Sequence, residues 1–229
     1  MFQNKESLIY LTLTVVILSA GFYYLVKNIK ISNVPGIVSE KNQEEIINVW
    51  EGDLPPLGNS QAPVKVIEFG DFHCPFCVIT AIQFYPELEK YIQSGKVVFY
   101  FRDFPIPQLH PKAFLVHLGS RCANEQGKYW DFHKKAFEDY YQKVMVNRDP
   151  NFTTGDENYL IELAKQLNLN VSQFKECLTN QKYKSQIERD IQDGNKIGVD
   201  GTPTFFVNGE KVVGADFEGL KIKIEKYLK

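Results

Sequence analysis

An apolar run from Val64 to Phe69 leads through Gly70-Asp71-Phe72-His73 into Cys74-Pro75-Phe76-Cys77, and an apolar-periodic segment continues from Val78 to about Tyr91. That order reads as a buried strand, a tight turn, and a helix whose first turn carries both sulfurs. A thiol placed there faces backbone N–H groups that lack intrahelical partners and the positive end of the helix dipole; both favour thiolate over thiol. Pro75 suits the first helical turn, where its missing N–H costs nothing. The thiolate is the attacking species in thiol–disulfide exchange, so this placement makes Cys74 a nucleophile. Cys77, one turn further on, is within reach to close a short disulfide and to resolve a mixed disulfide formed at Cys74. Zinc knuckles use the same spacing but need two more ligands, and Cys122 and Cys177 stand singly. Redox chemistry is therefore carried forward and no metal is expected, with zinc or a purely structural bridge as the alternatives.

Ahead of this region lies Leu8 to Val26, a 19-residue stretch without a charge. It is long enough to cross a bilayer, at roughly 1.5 Å per residue against a core of about 30 Å. A cleaved signal peptide is the alternative, but Ser19-Ala20 has Leu18 where a small residue belongs. An uncleaved anchor with Tyr10, Tyr23 and Tyr24 at the interfaces is the favoured reading. Lys5 precedes the span and Lys27 and Lys30 follow it, so the charge bias at most weakly favours the opposite orientation. The globular part is placed outside the cytoplasm because a disulfide-forming site and a spare cysteine pair suit an oxidising compartment. The net charge of −2 gives no hint of nucleic-acid binding.

The division expected is a membrane anchor over 1–27, a polar tether over 28–48, and one domain over 49–229 with a helical insertion at about 106–193. Ile46 to Trp50 could form a first edge strand before the turn at Pro55-Pro56-Leu57-Gly58-Asn59. Val64 to Phe69 reads as a strand buried on both faces. The helix from Pro75 to about Ser94 contains Pro86, which should kink it, and Val97 to Arg102 gives the next strand, completing a parallel βαβ unit. From His110 to about Asp193 the apolar spacing turns helical. Thr204 to Val207 and Lys211 to Val213 flank Asn208-Gly209, a strong hairpin signal. A closing helix follows, with Phe217, Leu220 and Ile224 on one face and Asp216 as its N-cap.

A βαβ unit with Cys-x-x-Cys at the helix start, followed by ββα, resembles the thioredoxin arrangement, and Val199-Asp200-Gly201-Thr202-Pro203-Thr204 looks like its cis-proline loop. More narrowly, the chain resembles the DsbA-like, membrane-anchored branch of that superfamily. The residues that carry this are Ala62-Pro63-Val64 and Glu68-Phe69 before the cysteines, Arg102-Asp103-Phe104-Pro105 and His110-Pro111 after the second strand, and Cys122-Ala123-Asn124-Glu125-Gln126-Gly127-Lys128 with Trp130. The resemblance spans about Leu57 to Lys229. It implies an α/β thioredoxin-like fold with an inserted helical domain, preceded by an N-terminal transmembrane helix. It also implies a protein thiol–disulfide oxidoreductase with no cofactor, acting on reduced, unfolded proteins and reoxidised by a membrane quinone-linked partner. A cis peptide at Thr202-Pro203 would face the cysteines. Phe76 departs from the family pattern, in which a polar residue or histidine often lies between the cysteines.

The expected redox pair is Cys74–Cys77, tuned by Pro75, Phe76 and His73. Glu68, in an apolar strand, should have a raised pKa and could accept the Cys77 proton; it resembles the family's buried acid. His73 as an imidazolium could support the thiolate, or it could point to solvent. Asp71 reads as a turn former. Cys122 and Cys177 fall in different helices of the insertion and are read as a structural disulfide, two separate buried thiols being the alternative. The functions weighed are an oxidant that donates its disulfide to exported proteins, a reductase or isomerase kept reduced, and a membrane-anchored binding protein with a vestigial motif. An isomerase would need a dimerisation module, and none is expected beyond the tether.

Overall fold

β1 (Val64–Gly70) is buried at every position except Lys65, as a strand covered on both faces must be. The computed structural model describes residues 46–149 and 155–229. The expected anchor and the part of the tether before residue 46 lie outside the described residues. Among the described residues no helix is long and apolar enough to cross a membrane.

After β1 come α1 (Pro75–Ile79), a π-helical turn (Thr80–Phe84), α2 (Tyr85–Gln93) and β2 (Val97–Asp103). The insertion follows: α3 (Ala113–Asn124), α4 (Tyr129–Asp139), a π-helical segment (Tyr140–Val146), α5 (Glu157–Gln166), α6 (Val171–Thr179) and α7 (Lys184–Lys196). The hairpin β3 (Thr204–Val207) and β4 (Glu210–Val213) and the closing α8 (Phe217–Lys226) complete the element order. The sheet runs β2-β1-β3-β4, with β2 parallel to β1 and β3 antiparallel to it. This is the thioredoxin-like α/β fold with a helical insertion.

The pleat divides the core. Val64, Val66, Phe99, Phe101, Phe205 and Val207 face the larger cluster, shared with the insertion helices, while Ile67, Phe69, Phe104 and Phe206 form a smaller one on the opposite face. Glu68 has the parity of Val64 and Val66, so alternation aims it into the larger core. The Asn208-Gly209 turn has positive φ at both residues, 46° and 90°, as the tight hairpin requires. Asp216 caps α8, its side chain accepting from the Gly219 N–H.

One expectation changes and one gains detail. Ile46 to Trp50 is not a strand; its backbone contact with the sheet is Ile47 N–H donating to the Gly209 carbonyl, and a hairpin turn offers no ladder to extend. The helix after the cysteines is interrupted by a π-helical turn over Thr80–Phe84 and resumes at Tyr85 with Pro86 in its first turn.

Candidate active site

The end of β1 and the start of α1 place Cys74 at the helix N-cap, in extended backbone geometry. Asp71 makes that turn: its carboxylate accepts from the His73 and Ile106 N–H groups, and its carbonyl accepts from the Cys74 N–H. Its second oxygen also pairs with His110 Nδ1 at 2.8 Å. Burial works against the charge, but the His110 bond leads the contacts that hold Asp71 below the usual carboxylate range.

Cys74 and Cys77 are both free thiols here and both buried. The Cys74 Sγ lies 3.1 Å from the Thr202 carbonyl, across a cis Thr202–Pro203 peptide. The Cys74 thiol is pulled down to about 6: hydrogen bonding from Cys77 contributes most, burial opposes it, and Thr202 and the backbone N–H groups of Cys77 and Phe76 add to the lowering. The Thr202 hydroxyl is buried and engages no other group among the described residues, which leaves it able to donate to the Cys74 thiolate. At pH 7 such a thiol is roughly nine-tenths ionised. Cys77 goes the other way. It is fully buried, receives the Asp71 N–H at 3.5 Å, and burial pushes its thiol well above the ordinary range. One sulfur is thus prepared to attack or leave, and its neighbour holds its proton.

Glu68 is fully buried, in register between Phe101 of β2 and Phe205 of β3. Burial raises its pKa to about 8, against a lowering hydrogen bond from Tyr85. A carboxyl poised there can give or take a proton near neutral pH. Gly70 next to it leaves room: a Cβ at that position would stand 2.4 Å from the Phe101 ring and 2.9 Å from Glu68 Oε1.

Pro75 and Phe76 are exposed beside the nucleophile, Phe76 by 60%. His73 corrects both expectations made for it. It is buried, with its ring 5.3 Å from that of Tyr140, and burial drops its pKa to about 4. It is therefore neutral at pH 7, neither an imidazolium beside the thiolate nor a solvent-facing side chain. Cys122 and Cys177 are joined as a disulfide between α3 and α6, far in sequence from the redox pair.

Sequence reasoning missed the polar groups that hold the site. Tyr85 OH donates to Glu68 Oε2 at 2.7 Å; an acid in an apolar strand signals that such a partner is needed, but not which residue it is. Asp103, Arg102, Arg121 and Asp190 form a buried ion network at the end of β2, and His117 joins it through Asp103 at 2.5 Å.

The sequence profile described as thioredoxin matches residues 52–226. The chain belongs to the thioredoxin family and, within it, to the DsbA-like protein-disulfide oxidoreductases. It is 33% identical over 176 residues to a probable disulfide bond formation protein D of Bacillus anthracis, covering 76% of this chain and 77% of that one. Among solved structures, oxidised BdbD of Bacillus subtilis superposes with a TM-score of 0.67 at 31% identity, covering 76% of this chain and 92% of that one. The α-DsbA1 of Wolbachia pipientis gives 0.64 at 26% identity, over 77% and 92% of the two chains.

Proposed function

We propose that this protein introduces disulfide bonds into exported proteins through a Cys74–Cys77 redox pair, on the outer side of the membrane. Residues 1–27 anchor it, residues 28–48 give it reach, and residues 49–229 carry the chemistry. A substrate thiolate attacks Cys74 Sγ, the Cys74–Cys77 bond breaks, and Cys77 leaves and is protonated by Glu68. A second substrate thiolate then attacks the mixed disulfide and Cys74 departs as a stable thiolate. Thr202 and Pro203 form the wall opposite the sulfur. Pro75 and the exposed Phe76 present apolar surface to an unfolded chain. A membrane quinone-linked partner would return the pair to the disulfide.

The oxidant reading is favoured over the reductase reading by the 33% identity to a probable disulfide bond formation protein, and the Cys74 thiol lowered to about 6 contributes in the same direction. A stabilised thiolate favours the reduced enzyme and so makes the disulfide oxidising. The Cys122–Cys177 bridge supports an oxidising compartment. The test is oxidation of reduced, unfolded ribonuclease by stoichiometric Cys74–Cys77 disulfide. Recovery of ribonuclease activity supports the oxidant. A protein that instead reduces insulin with a thiol donor is a reductase, and one that does neither is a binding protein.

A further inference from the structure

Glu68 is fully buried, and a carboxyl there needs hydrogen-bond partners that bulk water does not supply. Its Oε2 accepts from the Tyr85 hydroxyl at 2.7 Å, and its Oε1 is buried with no partner among the described residues. The other titratable groups that bear on it are Cys74 at the N-cap of α1, Cys77 within α1 and Tyr129 from α4, while the strands on either side present Phe101 and Phe205. Tyr85 reaches this position as the first residue of α2, directly after the π-helical turn. The wider turn rotates α2 relative to α1, and such turns recur at functional sites.

Packing does not require the Tyr85 oxygen. The ring stacks on His133 at 5.8 Å, meets Phe99 edge-on at 5.2 Å, and lines a cavity of about 750 Å³. A phenylalanine would fill the same place. We propose that Tyr85 is a positioning residue for the reaction at Cys77: its hydroxyl pins Glu68 Oε2 and leaves Oε1 as the oxygen through which Glu68 gives up and regains its proton. This rests on the acid–base role of Glu68 given above. As substrate thiolate bonds to Cys74 and the Cys74–Cys77 bond breaks, the electron pair goes to Cys77 Sγ, and a water molecule admitted as the disulfide opens carries the proton from Oε1 to it. The carboxylate later recovers a proton from solvent.

The Tyr85 bond favours the charged carboxylate, so its removal keeps Glu68 protonated to higher pH. The experiment measures the rate of reduction of the Cys74–Cys77 disulfide by a dithiol across pH, as the ratio of each variant to the unaltered protein. An infrared titration of the Glu68 carboxyl runs in parallel. Tyr85→Phe should move the Glu68 midpoint up by about one unit, carrying the corresponding limb of the rate profile with it. Difluorotyrosine at position 85, a stronger donor that keeps the ring, should move it down and serves if the phenylalanine variant does not fold. Glu68→Gln should remove the limb. A limb that survives Glu68→Gln overturns the role of Glu68. A limb that Glu68→Gln removes but neither Tyr85 change shifts overturns the role of Tyr85 alone.

Discussion

The acidity of Cys74 predicts how the reduction potential should depend on pH. Reduction of a disulfide binds two protons when both thiols stay protonated and one when the first is ionised. Each proton contributes about 30 mV per pH unit for this two-electron couple. With Cys74 near 6 and Cys77 well above the ordinary range, the slope should be about 60 mV per unit below pH 6 and about 30 mV between there and pH 8. At pH 7, a thiol lowered from an ordinary 8.5 to about 6 stabilises the reduced enzyme by about 1.4 kcal/mol, or about 30 mV. That is about a fifth of the roughly 150 mV separating thioredoxin from DsbA, so thiolate acidity alone does not place this protein at the oxidising end. The folded pKa is depressed, so its stabilisation of the reduced protein is fully present above the unfolded thiol value and fades as pH falls through 6. The melting temperature of the reduced protein should rise relative to that of the oxidised protein as pH rises from 6. The assay is equilibration with glutathione buffers at successive pH values, with the rate of Cys74 alkylation by iodoacetamide followed in parallel. Cys77 is fully buried and should not react. A slope that stays near 60 mV through pH 8, with alkylation rising only near 8.5, would refute the reasoning.

The remaining expectations concern the supports of the site. Cys77→Ala should raise the Cys74 pKa, since the Cys77 thiol makes the largest lowering contribution, and Cys77→Ser should retain more of it; ultraviolet titration of the thiolate distinguishes them. Replacing Cys122 and Cys177 together by alanine opens a loop with a sequence separation of 55 and should cost about 4 kcal/mol on the chain-entropy model, read as a lower urea midpoint, with the alkylation rate of Cys74 unchanged. Asp190→Asn removes the carboxylate shared by Arg102 and Arg121. It should destabilise by about 3–5 kcal/mol, because two buried guanidiniums lose a charged partner.

The features legible in the sequence are those that local chemistry determines. The strand–turn–helix around Cys74 comes from apolar periodicity and proline placement, and the hairpin from Asn208-Gly209. Ile46 to Trp50 misled because Val49 and Ile47 pack on the smaller core cluster without ladder partners, while Ile46 and Trp50 are exposed. The Trp50 ring covers the guanidinium of Arg102 at 4.9 Å and that of Arg189 at 5.1 Å. His73 misled because adjacency to a nucleophile says nothing about the insertion segment that buries it against Tyr140. Tyr85 was hidden by the π-helical turn, since counting residues at 100° each from Cys77 fails once the turn widens.

The buried ions explain why Arg102-Asp103 closes β2. These residues end the strand beside Gly70, the same sheet end from which the cysteine turn departs, and a parallel pair leaves the groups beyond it without further ladder partners. Asp190 of α7 accepts from Arg102 and Arg121, and from the Asp103 N–H at 3.2 Å, while Arg121 of α3 reaches Asp103 and Asp53. On the cysteine side, Asp71 binds His110 and the Ile106 N–H, holding the loop after β2 against the turn. Buried charges cost more to desolvate than an apolar substitute would, so their return lies in directional bonds rather than net stability. The 3.1 Å approach of Cys74 to the Thr202 carbonyl depends on β1, α1 and the loop before β3 keeping fixed positions. Apolar packing alone tolerates small slips, and a shift of even about 1 Å weakens a contact of this kind. If the polar network at the end of the sheet holds these elements in place, loosening it by Asp190→Asn should shift the Cys74 pKa, read by ultraviolet titration of the thiolate, under conditions where the protein is still folded.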